Sequence, residues 1–347
     1  MQNPLVTVVL PCYNAMPFLR EALDSIVNQT YANLEILCVN DGSTDETGIV
    51  LEEYAKQDRR IKVIHNETNL KLIATLNKAI SLATGEYIAR MDADDISKPN
   101  RIEEELLYML ENPEVDVVAC ATENIDEKGR VLSKNILRQF SSIANFYASF
   151  HYVPLGHPEL LFKTKVLKDN HFSQKEYVLH TEDYELLSRL LRRGYNLTNI
   201  NKYLFYFRIN SNSVSHKFTD IQDENFVKCA KVHYAEYYGK DIPIDIVSIL
   251  VNRMNNDLSI ENLRFAIQEM FEFHRWFILK EKKKLNEESL KEIKFVFATH
   301  LLDIVIQVIK KAKLNCKLYA IGILLKHMKL FVSYHMFKYI QTKFLQK

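Results

Sequence analysis

The segment Tyr87–Asp95, YIARMDADD, constrains the fold and chemistry of this chain more than any other. Its short apolar run predicts a buried strand of a parallel sheet. The carboxylates of Asp92, Asp94 and Asp95 follow directly, where open α/β sheets bind their ligands. Clustered Asp side chains repel one another unless a cation or hydrogen-bond donors lie nearby, and Mg²⁺ and Mn²⁺ prefer oxygen ligands. The segment therefore predicts a divalent-cation site, although an acidic loop before a helix would have the same composition.

The first 120 residues alternate between strand-like and helix-like patterns. Strands are predicted at 5–10, 34–39, 61–64, 87–89 and 115–120. Helices are predicted at 17–29, from Ser43 or Thr44 as the cap to about 57, at 70–83 and at 99–111. Crossovers of this length predict an α/β fold with a mostly parallel, Rossmann-like sheet flanked by helices. With only 8 Gly, the chain has no G-x-G-x-x-G and no P-loop, which argues against dinucleotide and P-loop chemistry.

The alternation ends after residue 121, and from about residue 226 onward the pattern is helical throughout. Two strands are predicted at 197–200 and 203–207 before that change. We therefore predict two domains, an α/β domain at 1–220 and a C-terminal helical extension at 221–347.

Polar residues cluster where successive predicted strands end. Pro11, Tyr13 and Asn14 follow the first strand, Asp41 follows the second, and Asp92 and Asp94 follow the fourth. Each group is an ordinary turn composition when taken alone. Because these strand ends converge on one edge of a parallel sheet, the three loops are expected to face one cleft. An aromatic ring for a base, a carboxylate for base or ribose donors, and a metal carboxylate for a diphosphate together predict a nucleoside diphosphate site.

A second carboxylate pair, Glu182–Asp183, opens a predicted helix at 182–193. Acidic residues are favoured in a first helical turn by the helix dipole, so the pair has an ordinary structural explanation. The alternative is a general base that deprotonates an acceptor hydroxyl.

From about Val6 to His216 the chain resembles the family-2 glycosyltransferases of the GT-A fold. The matching stretches are VVLPCYNAMPFLREALDSIVNQTY, EILCVNDGSTDET, NLKLIATLNKAI, GEYIARMDADD, GHPELLF and TEDYELLSRLLRRG. Their order and spacing are specific, and they cover about the first two-thirds of the chain. One departure is Asn69-Leu70-Lys71, where the family often has N-x-G.

The resemblance implies roles for particular residues. The domain at 1–220 is implied to bind the nucleotide sugar and to be catalytic. Nucleoside binding is implied for Pro11, Tyr13, Asn14 and Asp41, and Asp92 and Asp94 are implied to form the family's D-x-D, with Asp94 as the metal ligand. Asn77 is a further expected contact to the nucleotide sugar, Lys71 could reach a phosphate, and His216 is a second candidate metal ligand. The implied catalytic base is Asp183, with Glu182 as the alternative.

The resemblance further implies an inverting transfer that depends on Mn²⁺ or Mg²⁺. The expected donor is a UDP-hexose or UDP-N-acetylhexosamine, and the expected acceptor is a hydroxyl of a glycan or glycolipid in lipopolysaccharide or capsule synthesis. One alternative is a sugar-phosphate nucleotidyltransferase, which would need a Gly- and Arg-rich loop after the first strand. The other is a non-catalytic nucleotide-sugar-binding protein, which would not need Asp183.

Composition bears on partners and location. A net charge of +1 argues against nucleic acid as a partner, and five dispersed Cys without a C-x-x-C pair predict reduced thiols in the cytoplasm. No signal peptide and no bilayer-spanning apolar run are visible. From Ile304 to Lys347 there is no Asp or Glu, and Lys occurs nine times. This tail predicts either peripheral binding to the anionic inner face of the plasma membrane or helices that pack on the catalytic domain.

Overall fold

The computed structural model of the chain describes residues 3–135, 139–153, 155–210, 218–254 and 258–327. The chain forms two compact units. The first contains Met1–Gln139 and Leu155–Thr219, and the second contains Phe140–Pro154 and Asp220–Lys347. Residues 140–154 therefore group with a helical region that begins some 65 residues later, which no local pattern in the sequence indicates. The functions assigned to the two predicted domains stay predictions.

The first unit is built on a nine-stranded sheet. Its strands are β1 Val6–Cys12, β2 Leu34–Asn40, β3 Ile61–His65, β4 Tyr87–Arg90, β5 Ile96–Ser97, β6 Val117–Ile125, β7 Val131–Asn135, β8 Leu160–Lys163 and β9 Leu197–Arg208. The spatial order is β3-β2-β1-β4-β8-β6-β9-β5, and β7 pairs with β6. The strands β3, β2, β1 and β4 are parallel, whereas β8 runs antiparallel to both β4 and β6. This sheet confirms the predicted fold class.

Some helices flank the sheet of the first unit, and the others form the second unit. In chain order they are α1 Leu19–Val27, α2 Thr47–Gln57, α3 Leu72–Leu82, α4 Arg101–Glu111, α5 Ser142–Ala148, α6 Thr164–Asp169, α7 Glu182–Arg192, α8 Thr219–Tyr238, α9 Ile244–Leu250, α10 Ile260–Lys280, α11 Glu287–Lys311 and α12 Leu314–Lys326. Within the part of the chain that the structure describes, no helix is both long and apolar enough to cross a membrane.

Burial of alternate faces explains why β1 and α1 form. Val6, Val8 and Leu10 of β1 are fully buried, and they share one core cluster with Leu23 and Ile26 of α1. A period of two in the strand and of three to four in the helix directs these side chains into the same core. The packed core fixes the carboxyl ends of β1, β2 and β4, from which the polar loops extend.

One long strand replaces the two short ones predicted near residue 200. β9 runs without interruption from Leu197 to Arg208, with an irregular register against β6. Asn201 and Lys202 are exposed in the middle of this strand. These two polar residues interrupt the apolar pattern, which is why two short strands were predicted. The continuous strand carries Arg208 and Asn210 to the acidic loop.

Candidate active site

The acidic loop after β4 brings three carboxylates together. One oxygen each from Asp92, Asp94 and Asp95 lies within 4.8 Å of the other two. Among the described residues, this is the group of three or more His, Cys, Asp or Glu side chains close enough to share a metal ion. The ligand set consists of oxygens alone, which suits Mg²⁺ or Mn²⁺ rather than a softer metal.

Two residues at the end of β9 hold this loop, and neither was predicted from the sequence. Asn210 donates from Nδ2 to Oδ2 of Asp94 at 2.9 Å. Arg208 donates from Nε to the Asp94 carbonyl at 2.8 Å and from its backbone N–H to Oδ1 of Asp95 at 2.7 Å. Both residues follow the loop by more than 110 positions in the chain. Their role becomes visible only in the fold, because the sheet places the end of β9 beside the loop.

The electrostatics of the loop favour an added cation. Burial and the charge of Asp92 raise the pKa of Asp94 to about 6. Burial and the charges of Asp92 and Asp94 raise the pKa of Asp95 well above its ordinary value. The second oxygen of Asp95, Oδ2, is buried and has no hydrogen-bond partner among the described residues. A divalent ion would neutralise this repulsion, so the residues present fit such an ion.

The buried side chain of Arg90, the last residue of β4, links the acidic loop to the second carboxylate pair. Its Nη1 forms an ion pair with Oδ2 of Asp92. Its positive charge also interacts with the carboxylates of Asp95 and Glu182, and it partly offsets the rise in the pKa of Asp183 that burial causes. Both of the acidic groups predicted from the sequence therefore interact electrostatically with one guanidinium.

Glu182 and Asp183 form the first turn of α7. Burial, together with the charge of Asp183, raises the pKa of Glu182 to about 7. Burial also raises the pKa of Asp183, while the N–H of Tyr184 donates to its Oδ1 at 2.6 Å and acts in the opposite direction. A raised pKa makes a carboxylate a stronger base, which suits the role of a general base.

Asp41 occupies the turn after β2 and is almost fully buried. Its Oδ1 accepts from Asn66 Nδ2 and from the Leu70 N–H, both at 2.8 Å. The next residue, Gly42, has a φ of +68°, and a Cβ there would lie 2.8 Å from the Asn69 nitrogen. Only glycine fits this close approach of two loops. Asp41 thus fixes the loop after β3 through one oxygen.

The loop after β1 carries Tyr13 and Asn14. The Tyr13 side chain is 51% exposed, which leaves its ring available to stack on a flat ligand. Asn14 accepts from the Thr44 N–H at 2.8 Å, and its own N–H donates to Ser43 Oγ at 3.0 Å. The prediction that Ser43 or Thr44 caps α2 was wrong, since α2 begins at Thr47 and these two residues bind Asn14 instead.

The other predicted site residues have mixed surroundings, and their roles stay predictions. Pro11 is part of β1, and Lys71 is exposed with a φ of +71° just before α3. The Asn77 amide exchanges two hydrogen bonds of 2.9 Å with the Phe172 backbone, so both of its polar atoms already hold the loop after α6. His216 lies outside the described residues.

The carboxyl ends of three strands meet at this site. Cys12 at the end of β1 pairs with Asn40 at the end of β2, and Arg90 at the end of β4 pairs with Val9 of β1. The Asp41 N–H donates to the Cys12 carbonyl at 2.8 Å, which joins the first two loops directly. The geometry therefore matches the edge at which open α/β sheets bind nucleotides.

Comparisons with known proteins agree with this architecture. The family model described as glycosyl transferase family 2 matches residues 7–170. An uncharacterized glycosyltransferase of Haemophilus influenzae is 31% identical over 329 residues, which cover 86% of this chain and all of that protein. An uncharacterized glycosyltransferase of Methanocaldococcus jannaschii is 34% identical over 60% of this chain and 72% of its own length.

Two solved structures share the fold. Residues 1–349 of Staphylococcus aureus TarS, in complex with UDP-GlcNAc, align with a TM-score of 0.55 and 18% identity, covering 86% of this chain and 81% of that one. The mannosyltransferase PcManGT of Pyrobaculum calidifontis, in complex with GDP-Man and Mn²⁺, aligns with a TM-score of 0.54 and 16% identity, covering 98% and 84%. With its fold, its site and its full-length likeness to the Haemophilus protein, the chain belongs to glycosyltransferase family 2 and has the GT-A fold.

Proposed function

We propose that this protein transfers a sugar from a nucleotide-sugar donor to a hydroxyl of a glycan or glycolipid, with inversion at the anomeric carbon. The observation that carries the proposal is that Arg90, which forms an ion pair with Asp92 of the oxygen-only cluster, also interacts electrostatically with the buried Glu182–Asp183 pair. One group suits a cation and diphosphate, and the other suits a base. A nucleotide-sugar-binding protein without catalysis would need only the first.

The proposed roles follow from charge. Asp94, with Asp92 beside it, would hold Mn²⁺ or Mg²⁺, which when bound supplies positive charge to the departing nucleoside diphosphate. Asp183 removes the proton from the acceptor hydroxyl. A single displacement then inverts the anomeric centre, so no covalent nucleophile is needed. Asp41 and Tyr13 hold the nucleoside at the edge formed by β1 and β2.

The donor is proposed to be a UDP-hexose or UDP-N-acetylhexosamine. The TarS structure with UDP-GlcNAc supports this choice, whereas PcManGT binds GDP-Man on the same fold, so both nucleotides belong in the test. We place the acceptor in lipopolysaccharide or capsule synthesis at the cytoplasmic face of the membrane. The five cysteines are buried thiols, which supports a reducing compartment.

The experiment is a thermal-shift panel of UDP, GDP and their common sugar conjugates, each with and without Mn²⁺. The correct nucleotide should raise the melting temperature only when the ion is present, because a ligand that binds the native state stabilises it by mass action. The stabilising conjugate is then incubated with glycan acceptors, and release of nucleoside diphosphate is measured. A nucleotidyltransferase would instead release pyrophosphate from a nucleoside triphosphate. Binding without turnover, for every acceptor and for water, would indicate the non-catalytic alternative.

A further inference from the structure

The helix α12 is apolar on two faces. The face that packs within the second unit buries Cys316, Ala320 and Ile323. Along the rest of the helix the exposed fractions are 71% for Leu314, 61% for Leu318, 41% for Ile321 and 66% for Leu325. Spacings of four, three and four residues place these four side chains in a single line, which we name the outer row.

A solvated helix of a water-soluble protein normally turns a polar face outward. The outer row runs along nearly the whole of α12, which at 1.5 Å per residue is about 20 Å long. Contiguous apolar surface of this kind marks a site of interaction rather than a solvated face. The occupant must therefore offer an apolar surface to all four side chains.

Charge narrows the choice of occupant. On a wheel of 100° per residue, Lys317 lies on one side of the outer row and Lys326 on the other, and Lys313 precedes the helix. Lys is the sole charged residue type other than His from Ile304 to Lys347, where it occurs nine times. Pairing two copies of this segment would bring like charges together, which disfavours self-association. An apolar surface bordered by negative charge would match both the apolar outer row and the lysines beside it.

We propose that α12 lies in the interface of a bilayer that contains anionic lipids. The outer row enters the boundary between head groups and acyl chains, and the flanking lysines contact the negatively charged head groups. This inference goes beyond the sugar-transfer reaction and does not depend on it. The preceding helix α11 has no such role, because Ile304, Val305 and Val308 are buried within the second unit.

The first experiment measures the partition coefficient of the full-length protein on vesicles by co-sedimentation. The vesicles are phosphatidylcholine with or without 30 mol% phosphatidylglycerol. The outer-row variant is Leu318→Ser/Ile321→Ser/Leu325→Ser, and the matched control is Ile49→Ser/Leu107→Ser/Leu279→Ser, three exposed apolar residues elsewhere. On anionic vesicles the partition coefficient of the outer-row variant should be at least about tenfold lower than that of wild type, while that of the control should change by less than about twofold.

The second experiment tests the charges. Lys313→Glu/Lys326→Glu is compared with Lys282→Glu/Lys283→Glu, two exposed lysines outside α12. The α12 pair should weaken binding by about fivefold per lysine, and raised salt should weaken wild-type binding.

All substituted side chains are exposed, so equal melting temperatures verify the fold. Absence of wild-type binding to anionic vesicles, or equal losses in variant and control, overturns the proposal. A wild-type dimer that the outer-row variant converts to monomer would assign the row to a second copy and also overturn it.

Discussion

Asn210 donates a hydrogen bond of 2.9 Å from Nδ2 to Oδ2 of Asp94. The two residues come from the end of β9 and from the loop after β4, and the bond orients the carboxylate proposed to bind the cation. The bond uses one of the two carboxylate oxygens and leaves the other for a ligand. If Asp94 binds the cation, the Asn210 amide would influence cation binding through it.

Asn210→Leu should weaken Mn²⁺-dependent UDP binding by about 10- to 100-fold, because a hydrogen bond to a charged acceptor contributes roughly 1.5–3 kcal/mol. Titration calorimetry with and without Mn²⁺ measures the effect. The control is Asn112→Leu, whose amide donates to the Tyr108 carbonyl at the end of α4. Metal-dependent binding equal to that of wild type would show that the bond has no influence on the cation.

Asp94→Ala should remove the Mn²⁺-dependent part of UDP binding and leave the protein folded. Its carboxylate is under repulsion from Asp92, so its loss relieves unfavourable charge in the metal-free protein. The melting temperature without ligand should therefore be unchanged or higher. Asp169→Ala, at a surface acid paired with Lys165, is the control for loss of one negative charge. Retention of metal-dependent binding in calorimetry rules out Asp94 as the ligand.

Asp183→Asn should bind donor normally and lose transfer by about 10²-fold or more, the usual loss when a general base is removed. Donor affinity is measured by calorimetry and turnover by release of nucleoside diphosphate. If the variant retains turnover near the wild-type rate, the base is another residue, and Glu182 is the first to examine.

The pH dependence of turnover provides an independent test of this pair. A base must be deprotonated, and burial raises the pKa of Asp183, so the rate should rise with pH toward neutrality. The charge of Asp183 contributes to the raised pKa of Glu182, about 7, so Asp183 ionises first and Glu182 is still neutral over the acid limb. Glu182→Gln, which is neutral at every pH, should therefore leave the acid limb close to its wild-type position. A loss of turnover at every pH would instead indicate that Glu182 is the base.

The buried carboxyl of Glu159 should make the stability of the protein depend on pH. Burial raises its pKa from the ordinary 4.5 to about 7, so the native state holds a proton that the unfolded state releases. The contribution of this carboxyl to the free energy of unfolding is then present in full below about pH 4.5 and is lost as the pH rises through 7. Glu159→Gln stays neutral, so its free energy of unfolding relative to wild type should increase by about 2–3 kcal/mol between pH 5 and pH 8.

Urea unfolding at the two pH values measures this difference. Glu86→Gln, at an exposed glutamate, is the control for the loss of one carboxylate. A difference for Glu159→Gln that does not depend on pH would mean that the carboxyl is already ionised in the native protein at pH 5.

Local patterns in the sequence were sufficient for the parallel half of the sheet. Val6–Leu10 and Leu34–Val39 are apolar except for Thr7 and Glu35, and the helices show a clear period, so the succession of β1 to β4 along the chain could be predicted. The residues that hold the site could not be predicted in the same way. Arg208 and Asn210 act on the acidic loop across more than 110 positions, and Arg90 reads as part of an ordinary strand. A long-range contact leaves no periodic signal in a single sequence.

Helix α5 has a consequence for how the chain acquires its fold during synthesis. Its Tyr147 and the adjacent Phe150 pack against Phe273 and Phe277 of α10, with ring centroids 5.0 Å apart for Tyr147–Phe277 and 4.7 Å for Phe150–Phe273. At about 5–20 residues per second, the ribosome needs on the order of ten seconds to reach α10 after completing α5. During that interval Tyr147 and Phe150 lack their aromatic partners from α10, which makes α5 a candidate segment for chaperone binding in the cell.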